Sequence, residues 1–138
     1  MKNLVFILLL LTTSIAVEGQ NYIGAHKLQI KKEMKENYKD FYFSKEVMGK
    51  NNFIKFEDYD GFKTILFVLD QEGYCTYSVL MCDYAFLKET VDSLNQHYEY
   101  KNDLTWVDYF TGKDNYQIKL KKKEWFFSVV TKRLEENK

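Results

Sequence analysis

The apolar and polar positions that follow residue 20 divide the chain into two helical segments and several strand-like ones. Ile30, Met34 and Tyr38 recur at four-residue spacing, which predicts a first helix over residues 26–38. The clearest helical period follows Asp83, which is a favourable N-cap residue. The apolar positions of this second helix are Leu87, Val91, Leu94 and Tyr98.

Three strand candidates follow each helix, and turn signals such as Asp60-Gly61 separate them. Residues 39–52 show no clean period. The pattern therefore predicts an α+β fold with a mainly antiparallel sheet of about six strands and two helices on one face. The predicted strands are 53–59, 63–69, 74–82, 104–110, 115–121 and 124–132.

The two strand regions resemble each other at a constant offset of fifty residues. Identical residues are Asp58 and Asp108, Tyr59 and Tyr109, Ser78 and Ser128, and Val79 and Val129. We therefore predict a duplicated α-β-β-β unit, with 20–82 as the first copy and 83–132 as the second. The alternative is that two strand meanders look alike because strand chemistry is repetitive, and the architecture is the same in either case.

The repeat also predicts which side chains face the helices. At the offset of fifty, Leu66 and Val68 align with the cleanly alternating apolar residues of the second copy, so both are predicted to face the helices. Phe67, which lies between them, is then predicted to face outwards. In the third strands, the residues predicted to lie under the helices are Tyr77, Val79, Trp125, Phe127 and Val129.

This assignment leaves aromatic residues on the uncovered side of the sheet, where polar residues are usual. Such an exposed apolar patch is typical of an interaction surface. The alternative is that the segment near Phe41 or a second chain covers this face. The predicted partner-binding residues are Tyr59, Phe67, Tyr109 and Phe126.

Residues 1–19 have the three parts of a secretory signal peptide, namely Lys2, an apolar run over 4–17 and small residues before a predicted cleavage after Gly19. The run is shorter than the roughly 20 residues of a membrane-spanning helix; an uncleaved N-terminal anchor is the alternative. We predict an exported protein, periplasmic or extracellular, with no membrane span after cleavage. Residues 20–138 are predicted to form a single α+β domain that ends in a polar tail at 133–138.

Charge and cysteine content narrow the classes of partner. The chain has 20 Lys and Arg against 20 Asp and Glu, and a neutral exported protein is not typical of nucleic-acid binding. Lysines 121–123 precede an aggregation-prone strand, where charges act as gatekeepers. Cys75 and Cys82 are predicted to lie on opposite faces of one strand, roughly 20 Å apart and too far for a disulfide. An intermolecular bridge through Cys82 is the alternative.

Residue patterns typical of catalysis are missing from the sequence. It contains no G-x-S-x-G, C-x-x-C or glycine-rich phosphate loop. His26 and His97 lack a second ligand at metal spacing, and a hairpin turn explains Asp60-Gly61 more simply than a calcium site. We therefore predict that the protein is not an enzyme and has no catalytic residues, metal or cofactor.

The segment NYIGAHKLQIKKEM, residues 21–34, resembles the opening of small periplasmic modules of the BamE and β-lactamase-inhibitor-protein type. Those modules have a Gly before a helix cap, followed by a short helix with apolar residues at this spacing. The chain is also similar to small exported proteins of Bacteroidetes-type bacteria. The inhibitor-like resemblance implies binding through an open sheet face without catalysis, and no functional residue is transferred from it.

Two hypotheses follow for the function. The first is a non-catalytic exported binding or accessory protein that contacts a protein partner, or a second copy of itself, through the open aromatic face. The second is a small-ligand or carbohydrate-binding protein in which Tyr59, Tyr109 and Phe126 act as stacking platforms. A flat patch with a polar rim favours the first, and a closed cleft with convergent polar groups favours the second.

Overall fold

The computed structural model describes residues 21–109 and 115–134. They form an α+β fold with two helices, a short 3-10 turn at Tyr84–Phe86 and eight strands. The helices are α1 (Lys27–Asn37) and α2 (Leu87–His97). The strands are β1 (Phe41–Val47), β2 (Asn52–Asp58), β3 (Lys63–Leu69), β4 (Cys75–Cys82), β5 (Glu99–Asn102), β6 (Thr105–Asp108), β7 (Tyr116–Lys122) and β8 (Phe127–Arg133).

All eight strands belong to one antiparallel sheet in the order β1-β2-β3-β4-β8-β7-β6-β5. β4 and β8 pair at its centre, and each half of the chain contributes a helix followed by four strands. The predicted sheet of about six strands and the predicted α-β-β-β unit are therefore each too small. Each half has one further strand at its outer edge.

The two strands missed by the sequence pattern are these outer ones, β1 and β5. Five of the seven residues of β1 and all residues of β5 are exposed, so no apolar alternation marks them. Both carry charged residues, which are common on edge strands because they hinder edge-to-edge association. The segment near Phe41 is β1 itself, which pairs edge-on with β2 instead of covering the open face.

Both helices pack on the same face of the sheet. Ile30 and Met34 of α1 and Leu94 of α2 are almost fully buried and belong to one core cluster with the inward side chains of the strands. Trp106 on β6 is also buried, and its Nε1 donates a hydrogen bond of 2.8 Å to Oδ1 of Asn95 in α2. α1 lies mainly against β1, and α2 against β5 and β6, so each helix covers the outer strands of its own half.

α1 begins at a cap that joins it to the β3–β4 turn. Nδ1 of His26 accepts a hydrogen bond from the Leu28 N–H at 3.2 Å, so Nε2 carries the proton and donates to the Glu72 carbonyl at 3.1 Å. Gly73 has φ +89°, and a Cβ there would lie 3.0 Å from His26 Nε2. Any other residue would be strained at this position, and His26 acts as a structural cap.

In the β3–β4 hairpin, the face that packs against the helices is the opposite of the one that the repeat predicts. Phe67 is only 3% exposed and packs edge-to-face against Phe56 and Tyr22 in the core, with ring centroids 5.9 and 5.5 Å away. Its predicted place on the open face is wrong. Leu66 and Val79, predicted to lie under the helices, are paired neighbours on the open face.

An odd change in loop length explains this inversion. β2 and β6 end fifty residues apart, at Asp58 and Asp108, but the connection 109–115 is three residues longer than the connection 59–62. A shift by an odd number of residues exchanges the two faces of a strand. Aligning β3 with β7 at an offset of fifty therefore assigns the wrong face of β3 to the core. Because β4 pairs with β3, the wrong face of β4 is assigned to the core as well.

Both cysteines are buried as free thiols, Cys75 with 2% and Cys82 with 1% of its surface exposed. Their predicted placement on opposite faces of β4 is wrong, because the register between β3 and β4 slips beside Thr76 and brings both into the core. Burial raises the pKa of Cys75 to about 12 and that of Cys82 to about 11. A bridge from Cys82 to a second chain would need this thiol to leave the core.

Candidate functional site

The face of the sheet that the helices leave uncovered, called here the open face, has an apolar centre. Leu66 of β3 pairs with Val79 of β4, and Val79 pairs with Val130 of β8, so the three side chains form one row across the central strands. Val68, two residues beyond Leu66 on β3, and Met81, two residues beyond Val79 on β4, extend the apolar area to either side of this row. All five are half-buried, because their neighbours cover their flanks while their ends meet solvent.

Three lysines border this centre on the side of β7 and β8. Lys119 is paired with Val130, Lys132 with Tyr77, and Lys121 with Ser128. All three are exposed, and none forms an ion pair with another residue of the described chain. This flank of the open face is therefore positive, although the chain as a whole is neutral.

On the opposite flank, formed by β1 and β2, a carboxylate is already hydrogen-bonded and paired within the chain. Glu57 accepts hydrogen bonds from Ser44 Oγ at 2.7 Å and Tyr42 OH at 3.2 Å, and Lys55 Nζ lies 3.4 Å away. The bond from Ser44, followed by those from Tyr42 and Lys55, lowers the pKa of Glu57 against an opposing effect of burial. Its negative charge is thus balanced locally, whereas the three lysines on the other flank have no ion-pair partner among the described residues.

At one end, the open face continues into a hollow lined by aromatic residues. Phe62, Trp125 and Phe126 line it together with Thr64 and Met81, which also belong to the open face. Its free volume, counted for the centres of water-sized spheres, is about 280 Å³. Trp125 is 80% and Phe126 37% exposed. Exposed aromatic side chains beside a hollow are typical of the anchor residues of protein interfaces.

The four predicted site residues do not form one patch. Phe126 lies in the hollow and Phe67 in the core. Tyr59 is exposed at the same end of the strands as Phe126, but it stacks against Tyr42 of the edge strand at 5.1 Å. Tyr109 follows β6 at the opposite end, with Lys101 Nζ 5.2 Å from its ring centroid. Five strand spacings separate β2 from β6, so Tyr59 and Tyr109 lie at least about 24 Å apart.

The site residues that sequence reasoning missed are Trp125, Phe62, Leu66, Val79 and Met81. The triple aromatic Trp125-Phe126-Phe127 gives no signal for the first of them. Successive residues of a strand point to opposite faces, so alternation excludes Phe126 from the core but places Trp125 on the same face as Phe127. Phe127 takes the core position with 0% exposure, and Trp125, which precedes β8, stays in solvent.

The thiol nearest to the hollow is not activated for nucleophilic chemistry. Cys82 is among the residues that line the hollow, but its thiol belongs to the core, where burial raises its pKa. Lys63 opposes this shift, and Asp58, Asp83 and Glu89 add to it. A thiol with a pKa of about 11 stays protonated at neutral pH, and the thiolate is the reactive form. The hollow therefore offers apolar contact and stacking.

The described part of the chain also bears on metal binding and membrane insertion. Within residues 21–109 and 115–134, no three His, Cys, Asp or Glu side chains lie close enough together to hold a metal ion. No helix in the same part of the chain is long and apolar enough to cross a membrane. Comparison of the chain with protein-family models, curated proteins and solved structures finds no match.

Proposed function

We propose that the chain is a non-catalytic exported protein that binds a partner protein through the open face and its aromatic hollow. The observation that carries this proposal is the continuity of the two surfaces, since Thr64 and Met81 belong to both. The apolar centre, the exposed Trp125 and the lysine flank together have the composition of a binding surface. The resemblance of residues 21–34 to inhibitor-like periplasmic modules implies the same mode of binding.

The partner surface that complements this site is apolar at its centre and acidic at one side. Trp125 and Phe126 act as anchors, because large aromatic side chains gain the most on leaving water and lose little conformational freedom. Lys119, Lys121 and Lys132 face the acidic side of the partner, where they accelerate encounter and fix orientation more than they add affinity. The proposed partner is therefore an acidic protein.

Capture by the immobilised protein from the cell-envelope extract of its source tests this function. Trp125→Ala is expected to weaken capture of the partner at least about tenfold, since loss of an anchor costs more than about 1.4 kcal/mol. Lys119→Glu is expected to slow association and to reduce its dependence on salt. Leu28→Ala is the matched control, because Leu28 is 64% exposed but lies on α1, on the other face.

A partner held equally well by all of these variants would contradict the proposal. Light scattering over a concentration series separates a foreign partner from a second copy of the chain. A dimer that dissociates with Trp125→Ala would mean that self-association occupies the open face. A monomer at all concentrations leaves the face to another protein.

Carbohydrate binding is the second candidate, and the exposure of Trp125 beside Phe126 favours it. A sugar ring can stack on such a platform. Trp106 is 1% exposed and Trp125 80%, so fluorescence changes on adding an oligosaccharide would come mainly from Trp125. A saturable change that disappears in Trp125→Phe and persists in Tyr59→Phe would favour this candidate. No change with any oligosaccharide would exclude a stacking site in the hollow.

Export remains part of the proposal through the signal peptide predicted at residues 1–19. Expression in a bacterial host tests it directly. A secreted or periplasmic product whose N-terminal sequence starts at Gln20 is expected. A chain that stays in the membrane fraction with Met1 intact would favour the uncleaved anchor instead.

A further inference from the structure

A second possible binding site lies on the other face of the sheet, in a cavity between the helices and the central strands. Met34 of α1 and the inward side chains Phe67, Leu80, Ile118 and Val129 form its apolar wall. Its free volume, counted for the centres of water-sized spheres, is about 50 Å³. The cavity exists because each helix lies against the outer strands of its own half, so that the centre of the sheet is less closely covered.

Two neighbouring polar groups end at this cavity without a partner. Tyr22 is 7% exposed, and its hydroxyl makes no hydrogen bond to any described residue. Asn21 uses Oδ1 to accept a hydrogen bond from the Ile23 N–H at 3.0 Å, but its buried Nδ2 has no acceptor in the described chain. A buried polar group without a partner costs about 1–3 kcal/mol. Both residues line the cavity, so a ligand bound there could accept hydrogen bonds from them.

Both orphaned groups act as hydrogen-bond donors. The Asn21 amide nitrogen can only donate. Burial raises the pKa of Tyr22 well above its usual value, and the nearby Tyr38 and Glu33 add to this shift, so the phenol keeps its proton. Both side chains lie close enough to interact with the Tyr22 hydroxyl, but neither completes a hydrogen bond with it by distance and angle. The cavity thus presents two donors that lack an acceptor.

The floor of the cavity is polar at the centre of the sheet. Ser78 of β4 and Thr131 of β8 are paired neighbours, and both line the cavity. Asp108, which is 4% exposed, lines it as well. The Asp108 carboxylate in the cavity and the Glu33 carboxylate, which interacts with Tyr22, disfavour a bound anion. The two donors disfavour a cation, so the complementary ligand is neutral.

We propose that this cavity binds a small neutral molecule with an apolar body and one carbonyl oxygen, which accepts hydrogen bonds from Tyr22 OH and Asn21 Nδ2. The apolar walls hold the body of the ligand, and the two donors select for the oxygen. A cavity of this size has room for on the order of four waters, which limits the ligand to a handful of heavy atoms. This site is separate from the open face and does not depend on the function proposed for it.

Cyclopentanone and cyclopentane form a suitable pair of probes, because they share a five-membered ring and only the ketone has an acceptor. Titration of the purified protein is followed by amide chemical shifts in the two-dimensional ¹H–¹⁵N spectrum. Cyclopentanone is expected to shift the amides of Phe67 and Ile118, which line the cavity, with saturation in the millimolar range. Cyclopentane is expected to bind more weakly, because it leaves both donors unpaired.

Tyr22→Phe removes only the hydroxyl and is expected to weaken cyclopentanone binding about five- to tenfold without weakening cyclopentane binding. The variant should fold, because it loses an unpaired group. Tyr74→Phe removes the same hydroxyl from an exposed turn residue and is expected to change neither affinity. Asn21→Asp keeps the acceptor for Ile23 and removes the second donor, so it should also weaken ketone binding.

Two outcomes would overturn this proposal. Equal affinity for the ketone and the hydrocarbon, unchanged in Tyr22→Phe, would show that the donors do not select a ligand and that ordered water satisfies them. Ketone-induced shifts confined to residues of the aromatic hollow, such as Phe126 and Met81, would place binding on the other face. Failure of the proposed protein partnership would affect neither result.

Discussion

The two faces of the sheet are made from alternate residues of the same strands, and their side chains are packed in different ways. On the helix-covered face, Phe67 meets Phe56 and Tyr22 edge-to-face and is almost completely shielded from solvent. On the open face, Leu66 and Val79 are next to each other but remain half in solvent. The covered face therefore carries most of the stability, while the open face keeps apolar surface that remains to be buried.

The exposure of the two tryptophans shows the same difference. Trp106 is enclosed, contacts Tyr100 with a centroid distance of 5.3 Å and donates a hydrogen bond to Asn95. Trp125 is 80% exposed and lines a hollow. Burial of a Trp gains free energy in folding, and an exposed Trp can make the same gain only in a complex. Substitutions at matched positions on the two faces can test this division.

The largest effect is expected from Phe67→Ala compared with Leu66→Ala. Phe67 is fully enclosed, so its truncation should lower the free energy of unfolding by about 3–5 kcal/mol. Leu66 is half-buried, and its truncation should cost about 1–2 kcal/mol because solvent fills the space that is left. Urea denaturation followed by circular dichroism measures both values. Equal losses would show that the faces are equally covered, for example by a second chain on the open face.

A smaller difference is expected for Trp→Phe at the two tryptophan positions. Trp106→Phe loses the hydrogen bond to Asn95 and some core volume, and should lower the free energy of unfolding by about 2 kcal/mol. Trp125→Phe should change it by less than about 0.5 kcal/mol, because the side chain makes few contacts in the folded chain. The same denaturation experiment applies. A large loss at Trp125 would mean that this residue supports the fold and is not free for a partner.

The helices and the inner residues of β2 could be predicted from the sequence because their signals are local. Ile30 and Met34 fall on one side of a 3.6-residue period, and both are buried in α1. Asp83 caps the turn before α2 by accepting a hydrogen bond from the Ala85 N–H at 2.8 Å. Ile54 and Phe56 alternate with the charged Lys55 and Glu57, which is the local pattern of a half-buried strand, and both face the core.

The orientation of β3 and β4 could not be predicted locally, because both faces of this hairpin are apolar. Ile65, Phe67 and Leu69 face the core, while Leu66 and Val68 face outwards, so alternation alone does not identify the buried side. The internal repeat was then the only guide, and a difference of three residues in one loop made it misleading. Of the predicted site, Phe126 lies at the hollow, whereas Tyr59 and Tyr109 are exposed at opposite ends of the sheet.

The smallest effect is expected at the edge strand β1, where Glu46 and Lys45 again point to opposite faces. Glu46 faces α1 and forms ion pairs with Lys31 at 2.6 Å and Lys27 at 3.3 Å, whereas Lys45 lies on the open side opposite Lys55. These pairs are partly exposed, so Glu46→Gln should lower the free energy of unfolding by only about 0.5 kcal/mol. Lys45→Gln should change the free energy of unfolding by less, or raise it slightly, because the substitution removes the repulsion between Lys45 and Lys55.

The pH dependence of the free energy of unfolding tests whether charge causes the difference between the Glu46 and Lys45 variants. The hydrogen bond from Lys31 lowers the pKa of Glu46 against an opposing effect of burial, and Lys27 adds to the lowering. A carboxyl whose pKa is lowered by folding stabilises the protein above its unfolded pKa, and this contribution is lost as the pH falls through the folded pKa. The difference between the wild type and Glu46→Gln should therefore be present at pH 7, shrink once the pH falls below the unfolded pKa of about 4.3, and disappear below the lowered folded pKa. A difference that persists in acid would have to come from altered packing of α1 on β1, in which case the contrast between Glu46 and Lys45 would be one of shape instead of charge.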